Sequence, residues 1–318
     1  MAKRAATAKP RISTDVVVFD TYSVLFRAFH ALPRLSTSSG EPSAALFGFA
    51  SLVLKVLREE RPAALSFAVD APARTFRAER YADYKAGRPR TPSELSRQLE
   101  RLPWLLGAFG VPVFCVPGFE ADDVLATVAR RSADQGRTAL IVSGDRDLLQ
   151  TAGPLTRVLF LGKRGSDAET YDAERVTARF GVPPSQLPAY MALVGDASDN
   201  LVGVAGIGPR TAATLVAEFG SMRELTTSLD RVPNVKLRES LREAAERLVM
   251  NEELARLHDD VPLEATTLAA PLTATSREQL RAAFEELEAK SLVARLEKLE
   301  FGGTQPDSED APGGFGPR

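Results

Sequence analysis

The sequence predicts an α/β fold: a doubly wound parallel sheet followed by a purely helical region. Three observations carry this. Short runs rich in β-branched and aromatic residues alternate with amphipathic helical stretches up to about residue 185. Beyond that point the apolar spacing is helical throughout. Acidic residues follow the ends of the apolar runs, the edge at which open parallel sheets bind ligands.

Residues 1–14 carry Lys3, Arg4, Lys9 and Arg11 without the apolar core of a secretion signal, and read as a disordered basic arm. Runs 16–19 (VVVF), 65–69 (LSFAV), 111–114 (VPVF) and 139–142 (ALIV) read as buried parallel strands. Between them, helices are predicted at Ala44–Glu60, at Ser93–Phe109 with a kink expected at Pro103, and over 120–135, ending at Gly136. A basic, aromatic, glycine-containing segment at 81–91 breaks the alternation and suits binding better than packing. The boundary between the sheet domain (15–185) and the helical region (186–301) falls where strands cease. Helical spacing there covers 211–219, 237–250 and 277–299. Residues 302–318 are Gly, Pro, Asp and Ser with little to bury, which predicts a disordered tail, and no internal repeat is visible.

At 318 residues and 44% hydrophobic, the chain can bury a sizeable core. Its single cysteine, Cys115, excludes an internal disulfide and fits a reducing, cytoplasmic setting. No apolar run is long enough to span a membrane. The formal charge of −2 conceals an uneven distribution: with nine motif acids set aside, 40 basic residues face 33 acidic ones. A basic surface around an acidic pit fits that composition.

Asp20 closes the first strand and Asp70 the second, while Asp145 and Asp147 follow the run at 139–142. Glu120, Asp122 and Asp123 open the helix after the third strand, and Asp196 and Asp199 repeat the i, i+3 spacing. Any one of these acids could simply be a helix cap or a dipole partner. As a set converging on one edge they would repel one another unless cations neutralised them. Oxygen donors without His or Cys suit Mg²⁺ or Mn²⁺, and the two histidines, His30 and His258, lie outside these motifs. Such a site suits phosphoryl transfer to water, with metals about 3.5–4 Å apart flanking the attacking and departing oxygens.

The strings FDTYSVLFRAFHAL, YKAGRPRTP, GFEADDVLA, VSGDRDLLQ and GDASDNLVGVAGIGPRTA occur in this order. Together they resemble the bacterial 5′–3′ exonuclease and flap-endonuclease family, which includes the N-terminal nuclease domain of DNA polymerase I. The resemblance runs from about Val16 to about Phe301, and no polymerase region follows, so a free-standing member is expected. It implies a PIN-like nuclease domain with an arch at about 74–92, and a helix-three-turn-helix in the helical region. It implies that Asp20, Asp70, Glu120, Asp122, Asp123, Asp145, Asp147, Asp196 and Asp199 form the family's metal-binding acid set, holding two or more ions. It places Lys85 and Arg88 at the base of the arch against the scissile phosphate, with Arg77 near the substrate.

Tyr84, beside Lys85, is the candidate for stacking on an unpaired base. The glycine-rich turn Gly203, Gly206, Gly208 with Arg210 opens a helix and lets backbone amides approach DNA phosphates. By the same resemblance a potassium ion could sit there on turn carbonyls, including those of Val204 and Ile207, and on the Ser198 hydroxyl. Two departures stand out: Thr21 replaces the usual glycine after the first aspartate, and Val202 a common proline. Neither removes a metal ligand.

The expected partner is DNA with 5′ flaps, nicks or 5′ ends, gripped by its backbone by a monomeric enzyme of replication or repair and cut to leave a 5′-phosphate and a 3′-hydroxyl. Two alternatives share parts of the pattern. A PIN-type ribonuclease would need the acids but neither arch nor duplex-gripping turn. A non-catalytic DNA-binding protein of the same fold would have lost several carboxylates, and all nine are present.

Overall fold

The computed structural model describes residues 13–162, 167–264 and 267–300. Most of the predicted basic arm and the whole predicted tail lie outside these residues. In chain order the elements are β1 (Val16–Asp20), α1 (Thr21–Ala31), α2 (Ala44–Glu60), β2 (Ala64–Ala68), α3 (Phe76–Arg80), α4 (Ser93–Phe109), β3 (Val113–Phe114), α5 (Ala121–Asp134) and β4 (Ala139–Ser143). Then follow β5 (Thr156–Leu161), β6 (Ala168–Tyr171), α6 (Ala173–Phe180), α7 (Leu187–Val194), α8 (Pro209–Phe219), α9 (Met222–Thr227), α10 (Val235–Glu243), α11 (Ala245–Ala255), α12 (Ala274–Glu286) and α13 (Lys290–Leu296).

The strands form one sheet in the order β3-β2-β1-β4-β5-β6. All pairings are parallel except β5 with β6. Strand order reverses between β1 and β4, so a crevice opens at their carboxyl ends, the ligand position of doubly wound sheets. Helices cover both faces, and β1 shows how: Val16 and Val18 belong to the core that includes α5, α7 and α8, while Val17 and Phe19 belong to the core that includes α1, α2, α4, α12 and α13. Burial on both faces explains why its sequence is continuously apolar rather than alternating.

The four expected strands are present, with differences at the edges. β3 shrinks to Val113–Phe114 because Pro112 has no N–H for the ladder, although its carbonyl accepts from the Phe67 amide at 3.0 Å. β5 and β6 were not expected; β6 is a four-residue antiparallel edge strand, too short to show a period. The helix expected over 237–250 divides at Ala244 into α10 and α11. That over 277–299 breaks at Glu288, whose φ of 54° reverses the chain between α12 and α13. These last two helices return to the sheet domain, packing on α4 and α2, instead of extending the helical region. α4 runs without interruption through Pro103, and its buried Gln98 accepts from the Ala45 and Leu46 amides to close the start of α2.

The helical region is fastened to the sheet domain by Arg77, which is 1% exposed. Its guanidinium makes a two-pronged pair with Asp123, 2.7 Å on each arm, and donates to the Leu254 and Arg256 carbonyls at 2.8 and 2.9 Å. Asp123 also accepts from the His258 amide at 2.9 Å, so one ion pair joins α3, α5 and the chain leaving α11. The expectation that Arg77 meets DNA is therefore corrected: every face of the guanidinium is taken up inside the protein. Removing one partner of a buried, hydrogen-bonded pair leaves the other charge unpaired. Arg77→Met should thus lower unfolding free energy by ~3–5 kcal/mol in denaturant titration. A loss below ~1 kcal/mol would show that the pair does not fasten the two regions.

Candidate active site

Asp20 ends β1 and caps α1, accepting from the Ser23 amide at 3.2 Å and from the Ser143 hydroxyl at 2.5 Å. Asp70 follows β2 and accepts from the Ala121 amide at 2.8 Å, at the start of α5. Glu120 is the N-cap of α5 and closes a capping box with Asp123. Asp145 follows β4, donates its amide to the Ser143 hydroxyl oxygen at 2.9 Å, and accepts from the Asp147 amide at 3.0 Å. The cap role and the site role therefore coincide: the positive ends of α1 and α5 both point at the acids. Asp196 and Asp199 come from the loop after α7, so the helical region supplies part of the same cluster.

Asp20 and Asp147 are almost wholly buried, and Asp122 is half-buried beside them. Burial, with the charges of Asp70 and Asp145, pushes the Asp20 carboxyl up to about 7 from an ordinary 3.8, against the pull of its Ser143 hydrogen bond. Asp122 is raised well above its usual range by burial and then by Asp145, Asp20 and Glu120. Asp147 is raised well above it by burial and then by Asp145, Asp199 and Asp196. Eight of the nine expected acids are thus joined in one electrostatic cluster. Asp123 is the exception and a second correction, because both its oxygens are committed to Arg77 and to backbone amides.

Cations lie between these acids. Lys85 Nζ is 2.8 Å from Glu120 and 4.0 Å from Asp199. Arg88 reaches Asp199 at 3.1 Å, and Arg146 reaches Asp196 at 3.1 Å. Burial works against the Lys85 charge, but Glu120, Asp199 and Asp122 outweigh it and raise its pKa. With these side chains interposed, no three carboxylates among the described residues close around one point as a finished metal cage. The donor set nonetheless fits a divalent cation: hard oxygens, crowded enough to resist ionisation, with His and Cys excluded.

Within the segment expected to form an arch, residues 82–87 form a tight turn tied to the 196–200 loop. Lys85 has a φ of 57° and its amide donates to the Asp199 carbonyl at 3.2 Å; Asn200, at 58°, returns a side-chain bond to the Asp83 carbonyl at 2.8 Å. Tyr84 is 7% exposed and its hydroxyl donates to Asp199 at 2.7 Å, within 3.2 Å of Glu120. Burial and those two carboxylates raise its pKa. Stacking on a base is therefore corrected to a buried bridge between two acids.

In the glycine-rich turn, a Cβ on Gly203 would lie 2.5 Å from the Leu193 carbonyl oxygen, so glycine is what allows this residue to pack closely on the end of α7. Gly206 (φ 82°) and Gly208, the N-cap of α8, have open space beside them, and Arg210, the second residue of α8, is exposed. Val204 and Ile207 bury their side chains and close the turn with their own hydrogen bond at 3.1 Å, while the Ser198 hydroxyl is given to Asp196. The sequence pattern does not by itself mark Ser143 and Arg146 as site residues. Both stand in the VSGDRD string, and a cation between two aspartates was the available signal.

The raised carboxyls have a measurable consequence. An acid whose folded-state pKa lies above its unfolded value stabilises the fold below the unfolded pKa and loses that contribution as pH rises through the folded one. For Asp20 the window runs from 3.8 to about 7. In EDTA the melting temperature should fall between about pH 5 and about pH 8, and Mn²⁺ should restore it more at the higher pH. Equal metal-induced shifts at both pH values would contradict the cluster.

Residues 15–181 match the family described as 5′-3′ exonuclease, N-terminal resolvase-like domain, and 182–278 match 5′-3′ exonuclease, C-terminal SAM fold. A 5′-3′ exonuclease of Aquifex aeolicus is 35% identical over 282 residues, covering 89% of this chain and 95% of its own length. DNA polymerase I of Mycobacterium bovis is 38% identical over 294 residues, 92% of this chain, which spans 32% of that longer protein. A bacteriophage T5 flap endonuclease, solved with DNA and metal ions, is 18% identical with a TM-score of 0.61 over 90% of this chain and 98% of its own, a likeness of fold. On its sequence matches, the chain belongs to the 5′–3′ exonuclease family.

Proposed function

We propose that this chain hydrolyses phosphodiester bonds of DNA at 5′ ends, nicks and 5′ flaps, as 5′–3′ exonuclease, flap endonuclease or both, in replication or repair. The observation that carries this reading is the gathering of eight carboxylates at the β1/β4 crevice, where Lys85 and Arg88 pair with Glu120 and Asp199. Asp20, Asp70, Glu120, Asp122, Asp145, Asp147, Asp196 and Asp199 would hold two or more Mg²⁺ or Mn²⁺ ions. Bound there, the ions supply hydroxide near neutral pH and counter-charge for the departing oxygen.

The chain's own residues do the rest. Lys85 and Arg88, paired with Glu120 and Asp199, exchange those partners for the scissile phosphate and stabilise the charge that grows on it. Ser143 orients Asp20, and the Arg77 pair fixes α5, so that Glu120 and Asp122 keep their places. Gly206, Gly208 and Arg210 meet the duplex backbone downstream, which makes binding sequence-independent and salt-sensitive. Potassium on the Val204 and Ile207 carbonyls would require the Ser198 hydroxyl to leave Asp196. A monomer working in the cytoplasm fits a single exposed Cys115 and, among the described residues, no helix long and apolar enough to cross a membrane.

Cleavage of end-labelled flap, nicked and blunt DNA with Mg²⁺, Mn²⁺ or EDTA tests the reading, and product length separates the modes. Asp145→Asn with Asp147→Asn should abolish hydrolysis while DNA affinity stays within about threefold; retained turnover would refute the metal assignment. Lys85→Ala should lower kcat about 100-fold with little change in Kd. Equal losses in both would reduce Lys85 to a DNA-positioning residue.

A further inference from the structure

A groove of about 480 Å³ lies between α1, α2 and α13, beside the end of β5. Its floor is apolar, with Ala28, Leu32, Phe47 and Leu52 among its residues. Gly48 lets the two helices meet there: a Cβ at that position would stand 2.6 Å from Ala28 Cβ and 2.7 Å from Leu32 Cδ1. The lining carries Arg27, Lys55, Arg58, Arg295 and Lys298 and no carboxylate; Arg27 donates to the Gly144 and Gly162 carbonyls, which leaves four cations at the rim. Among the described residues, only Arg58 of these five has a carboxylate at salt-bridge distance, Glu59 at 3.4 Å.

Clustered cations around a concave apolar floor favour a ligand that is both anionic and apolar. Nucleic-acid phosphates would satisfy the rim but leave the floor wet. A neutral apolar ligand would fill the floor and gain nothing from the rim. We propose that the groove docks an acidic segment of a partner protein, with one large apolar side chain between α1 and α2 and carboxylates against Lys55, Arg58, Arg295 and Lys298. This surface shares no residue with the carboxylate cluster, so it would recruit the enzyme without taking part in cleavage.

Fluorescence anisotropy of the full chain with short labelled peptides, rich in Asp and Glu and each carrying one Phe, Leu or Ile, tests the assignment. Saturable micromolar binding is expected, weakening about tenfold when salt rises from about 50 to about 300 mM. Lys55→Glu with Lys298→Glu should weaken it at least about tenfold by reversing rim charge. Ala31→Trp, at an exposed lining position, should block the groove without changing charge. DNA cleavage by both variants should match the parent, which shows that they fold. Absence of saturable binding across the peptides, or binding indifferent to Ala31→Trp, overturns the proposal. Displacement of peptide by stoichiometric duplex DNA would overturn it in favour of a nucleic-acid surface. An about tenfold gain on removing residues 301–318 would overturn it in favour of the chain's own terminus.

Discussion

Mutual repulsion among carboxylates gathered at one sheet edge is the constraint on which the rest of this structure depends. Left alone, Asp20, Asp122 and Asp147 resist ionisation, because burial removes water and their neighbours add like charge. Each remedy in the fold addresses that cost. The N-termini of α1 and α5 point at the acids, Ser143 donates to Asp20, and Lys85, Arg88 and Arg146 come between the rest. A divalent cation is the remedy that this arrangement leaves room for, once the basic side chains turn elsewhere.

Two kinds of buried charge coexist within a few residues of each other, and they do different work. Asp123 and Arg77 neutralise one another with near-ideal two-pronged geometry, and the Leu254 and Arg256 carbonyls, with Glu120 at 3.4 Å, take the remaining guanidinium protons. That pair is closed and structural. Asp122, one residue earlier on α5, faces Asp20 and Asp145 with only Lys85 to offset them, and that imbalance suits it to hold something mobile. A one-residue step along a helix rotates the side chain by about 100°, which is enough to move a carboxylate from the core fastening to the site.

The 196–200 loop gives the helical region a share in the cluster. Asp196 and Asp199 bring its charge to the sheet edge, while Tyr84 and Asn200 tie the arch to the same loop. The turn that carries Lys85 and Arg88 and the loop that carries Asp196 and Asp199 are thus tied into one unit. A duplex held by the turn before α8 would be held by a structure continuous with the carboxylates, through Gly203 packed on the end of α7.

Much of this was legible in the residues. Continuous apolar runs ending in acids predicted the buried strands and the edge at which they deliver carboxylates, since burial on both faces and a charged terminus each leave a local signature. β6, the breaks at Ala244 and Glu288, and the return of α12 and α13 to the sheet left none, because they depend on what the distant chain offers to pack against. The nine acids could be read from spacing and family resemblance, but not which of them is free. Asp123 looks the same as Asp122 in the string EADD, and only the arrival of Arg77 from 46 residues away separates them. Arg77 and Tyr84 read as substrate-facing groups for the same reason: residue type determines the charge or ring that a position carries, whereas the tertiary contacts decide whether solvent, substrate or another side chain satisfies it.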